Sequence, residues 1–243
     1  MRPLTAAELL RVWELGLPRP PAERALALLA AAGAGPSVDE LARLPLGRRD
    51  TRLLALRAAM FGPRYQAVAA CPSCGERLEL SFAAEDVRPA PSADAVPPTL
   101  RAGDYTLETR PVDSTDFAAA AACPDVATAR ATLARRCIVA ALRGDGPVAP
   151  DALPDEVVSA LAAHLEAADP DAEITLEVAC ASCGTRWDAL LDVAAYLWTE
   201  VETEALRLLR EVHELARGYR WSEADILAMS PLRRRAYLEL VHA

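Results

Sequence analysis

Hydrophobic positions in the first sixty residues recur at helical spacing and are broken at short intervals by glycine and proline. Leu9, Leu10, Val12, Trp13 and Leu15 share one helical stripe, opened by Thr5-Ala6-Ala7-Glu8 and stopped by Gly16 with Pro18. In that opening the Thr hydroxyl and the Glu carboxylate can each satisfy an unpaired amide, as in a capping box. Pro20-Pro21-Ala22-Glu23 opens a second helix that Gly33 to Pro36 closes, and Ser37-Val38-Asp39-Glu40 repeats the capping signal. A fourth helix spans about Arg48 to Phe61 and ends at Gly62-Pro63. The pattern predicts an N-terminal helical lobe over residues 1–63, with loops of ordinary length.

At Tyr65 the period changes from helical to alternating. Gln66 to Ala70 leads into Cys71-Pro72-Ser73-Cys74-Gly75, after which Leu78, Leu80 and Phe82 alternate as a strand does. The same arrangement returns where Ile174, Leu176 and Val178 alternate into Cys180-Ala181-Ser182-Cys183-Gly184, followed by Arg186-Trp187-Asp188-Ala189-Leu190. Val68–Arg77 and Val178–Arg186 are thus two copies of one strand–knuckle–strand unit. Residues 64–87 with 173–191 read as one ribbon interrupted in sequence.

Residues 88–172 form the interruption. Arg88 to Pro98 is rich in proline and alanine and reads as an exposed linker. Tyr105 to Arg110 reads as a short strand. Asp113-Ser114-Thr115-Asp116 caps a short helix that Cys123-Pro124 ends, and Asp125 caps another expected to run to about Arg143. Gly144-Asp145-Gly146-Pro147 is a turn, and Pro154 starts a helix lasting to about Ala168. The unit therefore reads as α-rich with a short strand. Residues 192–243 hold a long helix from about Val193 to Arg217, a short one capped by Ser222-Glu223-Ala224-Asp225, and a last one opened by Ser230-Pro231.

Composition narrows what such a chain does. With 243 residues and 52% apolar content it can bury a sizeable core. All 26 basic residues are arginine, against 35 acidic residues, giving −9 at neutral pH; the 52 alanines fit a GC-rich coding bias. An acidic chain gains little from counterion release on a phosphate backbone, so nucleic-acid binding is disfavoured. No apolar run approaches the roughly 18 residues of a membrane span. The N-terminus lacks the charged-then-apolar layout of a secretory signal. These features point to a cytoplasmic, helix-rich protein that makes no use of a membrane.

The two Cys-x-x-Cys-Gly knuckles carry the most specific chemistry. Thiolates so spaced can reach one tetrahedral ion at about 2.3 Å, and the glycine lets the backbone curl so that its amides face the sulfurs. Cys71, Cys74, Cys180 and Cys183 are accordingly the expected ligands of one zinc ion. Four thiolates leave no open coordination position, so the ion would be structural. A thiol redox pair is the competing reading, but it calls for one motif at a helix start and these are flanked by strands. Cys123 and Cys137 read as packing thiols.

No hydrolytic or phosphoryl-transfer motif is present, and His164, His213 and His242 are scattered over helices, so the chain reads as non-enzymatic. Glu200, Glu202, Glu204, Glu211 and Glu214 read as the solvated side of the long helix. Arg48, Arg49 and Arg52, and Arg233-Arg234-Arg235, are either solvent-facing charge or docking patches for an acidic partner. Tyr219, Trp221 and Tyr237 read as packing of the terminal helices.

Three segments resemble the baseplate hub assembly chaperone family of contractile-tailed phages and related contractile injection systems. Thr109-Arg110-Pro111-Val112-Asp113-Ser114-Thr115-Asp116-Phe117 is similar to its strand followed by a polar-x-x-Asp-hydrophobic helix start. Leu133-Ala134-Arg135-Arg136-Cys137-Ile138 is similar to its helix ending in Arg-Cys-hydrophobic. Gly218-Tyr219-Arg220-Trp221-Ser222-Glu223-Ala224-Asp225-Ile226-Leu227, with Arg233-Arg234-Arg235-Ala236-Tyr237-Leu238, is similar to a pattern that recurs in small phage tail and baseplate proteins. The resemblance implies an assembly or structural protein whose partners are baseplate, hub or spike proteins. A zinc-ribbon regulator of nucleic acid is the alternative. The fold expected is mainly α, with multi-helix lobes around a small antiparallel β zinc ribbon split in sequence.

Overall fold

Thr5 starts the first helix as its spacing predicts: its hydroxyl accepts the Glu8 amide while Glu8 accepts the Thr5 amide. The computed structural model describes residues 1–35, 37–83, 86 and 96–242. The N-terminal helices are α1 (Ala6–Gly16), α2 (Pro21–Ala31), α3 (Val38–Ala42) and α4 (Leu46–Phe61). Two β-hairpins follow at a distance from each other, β1 (Arg64–Ala70) with β2 (Arg77–Ala83) and β7 (Thr175–Ala179) with β8 (Arg186–Leu190). Between them lie β3 (Thr99–Ala102), β4 (Tyr105–Thr109), α5 (Ser114–Ala121), α6 (Val126–Cys137), β5 (Ile138–Arg143), β6 (Gly146–Pro147) and α7 (Asp155–Ala168). The chain ends in α8 (Val193–Tyr219), α9 (Glu223–Leu227) and α10 (Pro231–Val241).

The main core is built around α8, whose 27 residues span about 40 Å at 1.5 Å per residue. Its Leu197, Trp198, Val201, Ala205 and Leu208 pack with Leu9, Leu28, Leu29, Leu53, Leu54 and Leu56 of the N-terminal helices. Tyr65, Phe82 and Ile174 join the same cluster, so the bases of both hairpins are rooted in it. Each hairpin alternates an inner and an outer face, as the period of two demands. The outer face of β1 and β2 carries Arg64, Gln66, Val68, Arg77 and Glu79, while Tyr65, stacked 5.3 Å from Phe82, turns inward.

The inserted unit departs from expectation. The helix capped by Asp125 ends at Cys137, and Ile138–Arg143 runs as β5 in an antiparallel sheet ordered β3-β4-β5-β6. The β-branched pair Ile138 and Val139 favours the extended backbone that Ile138 adopts, at φ −84° and ψ 120°. Arg110 then takes the carbonyls that α6 leaves unpaired, its amide donating to Cys137 O at 2.9 Å and its Nη2 to Arg136 O at 2.8 Å. The unit keeps the helices expected of it, α5, α6 and α7, but carries four short strands where one was expected, with Leu107, Ala141, Leu153, Val157 and Leu161 in its core. Residues 88–95 of the expected linker lie outside the described residues.

The insertion is tied to α4. Leu46 donates its amide to Val112 O at 3.0 Å, and the Gly47 amide donates to Asp169 Oδ2 at 2.9 Å. A Cβ at Gly47 would sit 2.3 Å from the Asp169 carboxylate and 2.8 Å from the Asp171 backbone, so this approach requires glycine. At the other end Tyr219, Trp221 and Tyr237 pack together, with Tyr219 stacked 4.4 Å from Trp221, beside Ile226 and Leu238.

Candidate metal centre

Each knuckle is a tight turn closed by the same two backbone bonds. In the first, Cys71 N donates to Glu76 O at 2.8 Å and Gly75 N to Cys71 O at 2.9 Å. In the second, Cys180 N donates to Thr185 O and Gly184 N to Cys180 O, both at 2.9 Å. Gly75 and Gly184 share a φ of +75°, a left-handed conformation that costs a residue with a Cβ about 1–2 kcal/mol. The sequence repeat is thus a structural repeat down to the backbone.

The two turns meet tip to tip. All four sulfurs lie within 4.8 Å of one another, although 105 residues separate Cys74 from Cys180. The pairing is crossed: Cys71 Sγ is 3.6 Å from Cys183 Sγ, and Cys74 Sγ is 3.6 Å from Cys180 Sγ. The first cysteine of each knuckle is buried and the second exposed. A disulfide needs about 2.05 Å between sulfurs, so none is formed. Four sulfurs at about 2.3 Å from one tetrahedral ion stand about 3.8 Å apart, which is the spacing present.

Without a cation the two exposed thiols of the cluster are driven in opposite directions. The Glu76 amide favours the Cys74 thiolate, yet the thiols of Cys183 and Cys71 push Cys74 up to about 12. Cys183 is brought down to about 6 by the hydroxyl and amide of Thr185, whose Oγ1 lies 3.2 Å away. One sulfur is prepared to be a thiolate while its neighbour holds a proton. A divalent ion among them removes the conflict, because each thiolate then faces the ion's charge. The donor set fits zinc, with Cys71, Cys74, Cys180 and Cys183 as the residues that would hold it.

The remaining residues singled out in the sequence do not converge on this centre. Cys137 is fully buried in the insertion, where burial pushes its thiol up to about 11. Cys123 is half-buried, 3.5 Å from Thr132 Oγ1. His164 lies 3.2 Å from Thr109 Oγ1, His242 lies 3.0 Å from Glu214, and His213 is exposed. Two arginines of the clusters are neither solvent-facing nor free to dock. Arg49 is buried against Asp50, at 2.7 Å, and against Ser114; Arg234 is buried against Glu211, at 3.0 Å. The solvated acidic face of α8 needs the same correction. Glu211 serves Arg234, and Glu200 receives both Nε and Nη2 of buried Arg57, at 2.8 and 2.6 Å.

Two arginine networks were not legible from spacing alone. Arg57 also donates to the carbonyls of Gly62 and Arg64, and its guanidinium lies 4.1 Å from the Tyr65 ring. It thereby locks the start of β1 to α4 and α8. In the insertion, fully buried Asp116 receives Arg110 through both Nη atoms, at 2.6 and 2.9 Å, and Arg136 through Nε at 2.7 Å. These three residues stand within two of the quoted motifs, from Thr109 to Phe117 and from Leu133 to Ile138, so the motifs meet at one carboxylate.

Among the described residues no helix is long and apolar enough to cross a membrane. A family model described as T4 bacteriophage base plate protein matches residues 28–195, a span that includes all four cysteines and the Asp116 network. The terminal segment from Gly218 to Leu238 lies beyond that match. No curated protein and no solved structure matches the chain.

Proposed function

The chain belongs to the T4 bacteriophage base plate protein family, and from that premise we propose that it is a non-enzymatic assembly chaperone or structural protein of a contractile phage tail or injection-system baseplate. It works in the cytoplasm through contacts with hub, spike or other baseplate proteins. The observation that carries this reading is the family match over residues 28–195, more than two thirds of the chain. One structural zinc ion on Cys71, Cys74, Cys180 and Cys183 completes the fold. It joins residues 64–87 to residues 173–191 as a single ribbon around the inserted unit 88–172, between the lobes 1–63 and 192–243.

A ribbon that grips nucleic acid has less support. The outer faces of the hairpins carry Arg64, Arg77 and Arg186 against Glu79, Glu177 and Asp188, and Arg186 already pairs with Glu177 at 3.4 Å. Such a balanced surface offers no basic stripe to a phosphate backbone.

Co-expression with the hub, spike and baseplate proteins encoded beside this chain tests the proposal. A complex that survives size-exclusion chromatography is the expected result. Failure to bind any of them, together with salt-dependent retardation of DNA in a gel, would favour the regulator instead.

A further inference from the structure

Helix α10 is apolar on two opposite faces. One face packs towards α8, with Tyr237, Leu238 and Val241 in the terminal cluster and Arg234 buried against Glu211. The other face carries Leu232, Ala236 and Leu240, spaced four residues apart and so aligned in one stripe. Among the described residues nothing covers that stripe: Leu232 is 79% exposed and Leu240 65% exposed. Arg233, Arg235 and Glu239, all exposed, border it, so the border is net basic by one charge. An apolar stripe on a helix already anchored by its other face is the form of a helix-in-groove ligand.

The same chain holds a receptor of matching chemistry. A cleft of about 1020 Å³ opens between α6, α7 and the β7–β8 hairpin. Leu133, Val158, Leu161 and Leu165 form its apolar lining. Phe117 and Leu190, 47% and 68% exposed, stand at its walls. Its charged lining is acidic, with Glu166, Asp169, Glu173 and Asp188 against the single Arg130.

We infer that α10 of one copy of this chain docks in the α6–α7 cleft of a second copy, Leu232 and Leu240 entering the apolar lining while Arg233 and Arg235 face Glu166, Glu173 and Asp188. The occupant is a second copy because stripe and cleft complement each other in both respects: apolar against apolar, and a net-basic border, Arg233 and Arg235 against Glu239, facing a rim with four acids and one arginine. From Leu232 to Leu240 the stripe measures about 12 Å along the helix. The contact joins two different surfaces, so it is heterologous. Each added copy presents a fresh stripe and a fresh cleft, and assembly continues until a ring closes. The inference concerns faces of this chain alone and stands or falls apart from the baseplate reading.

Sedimentation velocity of the full chain over a concentration series tests it. The expected result is a mass that grows with concentration beyond the monomer and falls as salt is raised. Leu232→Glu with Leu240→Glu, and separately Phe117→Glu with Leu190→Glu, should each give monomers; all four positions are exposed, so the fold is left alone. The milder pair Arg233→Glu with Arg235→Glu should weaken association about tenfold. The decisive arm mixes the two monomeric variants. One keeps an intact cleft and the other an intact stripe, so together they should form a one-to-one dimer that grows no further. A wild-type chain that stays monomeric at every concentration, self-association that persists in either double variant, or a mixture that forms no dimer would overturn the inference. In the first case the stripe belongs to a foreign partner.

Discussion

Replacing Asp116 by Asn tests whether one buried carboxylate holds the inserted unit together. Asp116 accepts three hydrogen bonds from Arg110 and Arg136 and a fourth from the Asp113 amide at 3.1 Å. An amide in its place keeps one acceptor oxygen and turns an NH2 group towards a guanidinium. Removing one partner of a buried pair costs about 3–5 kcal/mol. The Arg110 and Arg136 side chains remain 37% and 40% exposed, so water relieves part of that cost and about 2–3 kcal/mol is expected. In a chain of this size that lowers Tm by roughly 5–10 °C. Burial alone pushes the Asp116 carboxyl up, but the bonds from Arg110, the Asp113 amide and Arg136 hold it below the ordinary aspartate value. Its contribution is therefore fully present above about pH 3.9 and is lost as pH falls through the lower value of the folded state. Denaturant unfolding followed by circular dichroism should show wild type and Asp116→Asn well apart at neutral pH and converging in acid. A difference under about 1 kcal/mol at neutral pH, or a gap that does not close in acid, would refute the reasoning.

Arg57→Ala removes a buried guanidinium that bonds Glu200, Gly62 and Arg64; a loss of about 3–4 kcal/mol in chemical denaturation is expected, with Arg57→Lys recovering only part of it. Gly16→Ala places a Cβ 2.3 Å from the Trp198 ring, so thermal melts should show a loss of about 1–3 kcal/mol from overpacking. Cys74→Ser should release the metal and lower Tm, whereas Cys123→Ser should leave metal content unchanged; elemental analysis beside thermal melts separates the two. Gly184→Ala should weaken metal retention against a competing chelator without abolishing it, since the strain at φ +75° costs about 1–2 kcal/mol.

Much of this architecture could be read from local chemistry. Thr5, Asp113, Asp125, Ser222 and Ser230 all cap helices where their spacing placed them. The alternation around the knuckles gave both hairpins, because one face of each is buried and the period of two is then enforced. Strand β5 was hidden because Ile138–Arg143 continues the apolar pattern of α6; the β-branched Ile138 and Val139 only lean towards an extended backbone, and pairing with β4 fixes it. Strand β3 is four residues long and too short to signal itself. The arginines were the harder loss. Arg49 and Arg234 look like surface charge in sequence, and Glu200 and Glu211, the carboxylate partners of Arg57 and Arg234, look like a solvated helix face. Arg49 meets Ser114, Arg57 meets Glu200 and Arg234 meets Glu211 across segments, which no local period encodes. The Asp116 node shows the same limit, since its second arginine stands twenty residues away.

That one zinc ion clamps together the two halves of an interrupted repeat is tested most directly by zinc-edge X-ray absorption on the full chain, purified from zinc-replete culture and quantified by elemental analysis. The centre proposed on Cys71, Cys74, Cys180 and Cys183 predicts one zinc per chain with four sulfur neighbours at about 2.3 Å. A folded chain without zinc, or zinc with fewer than four sulfurs, would contradict it.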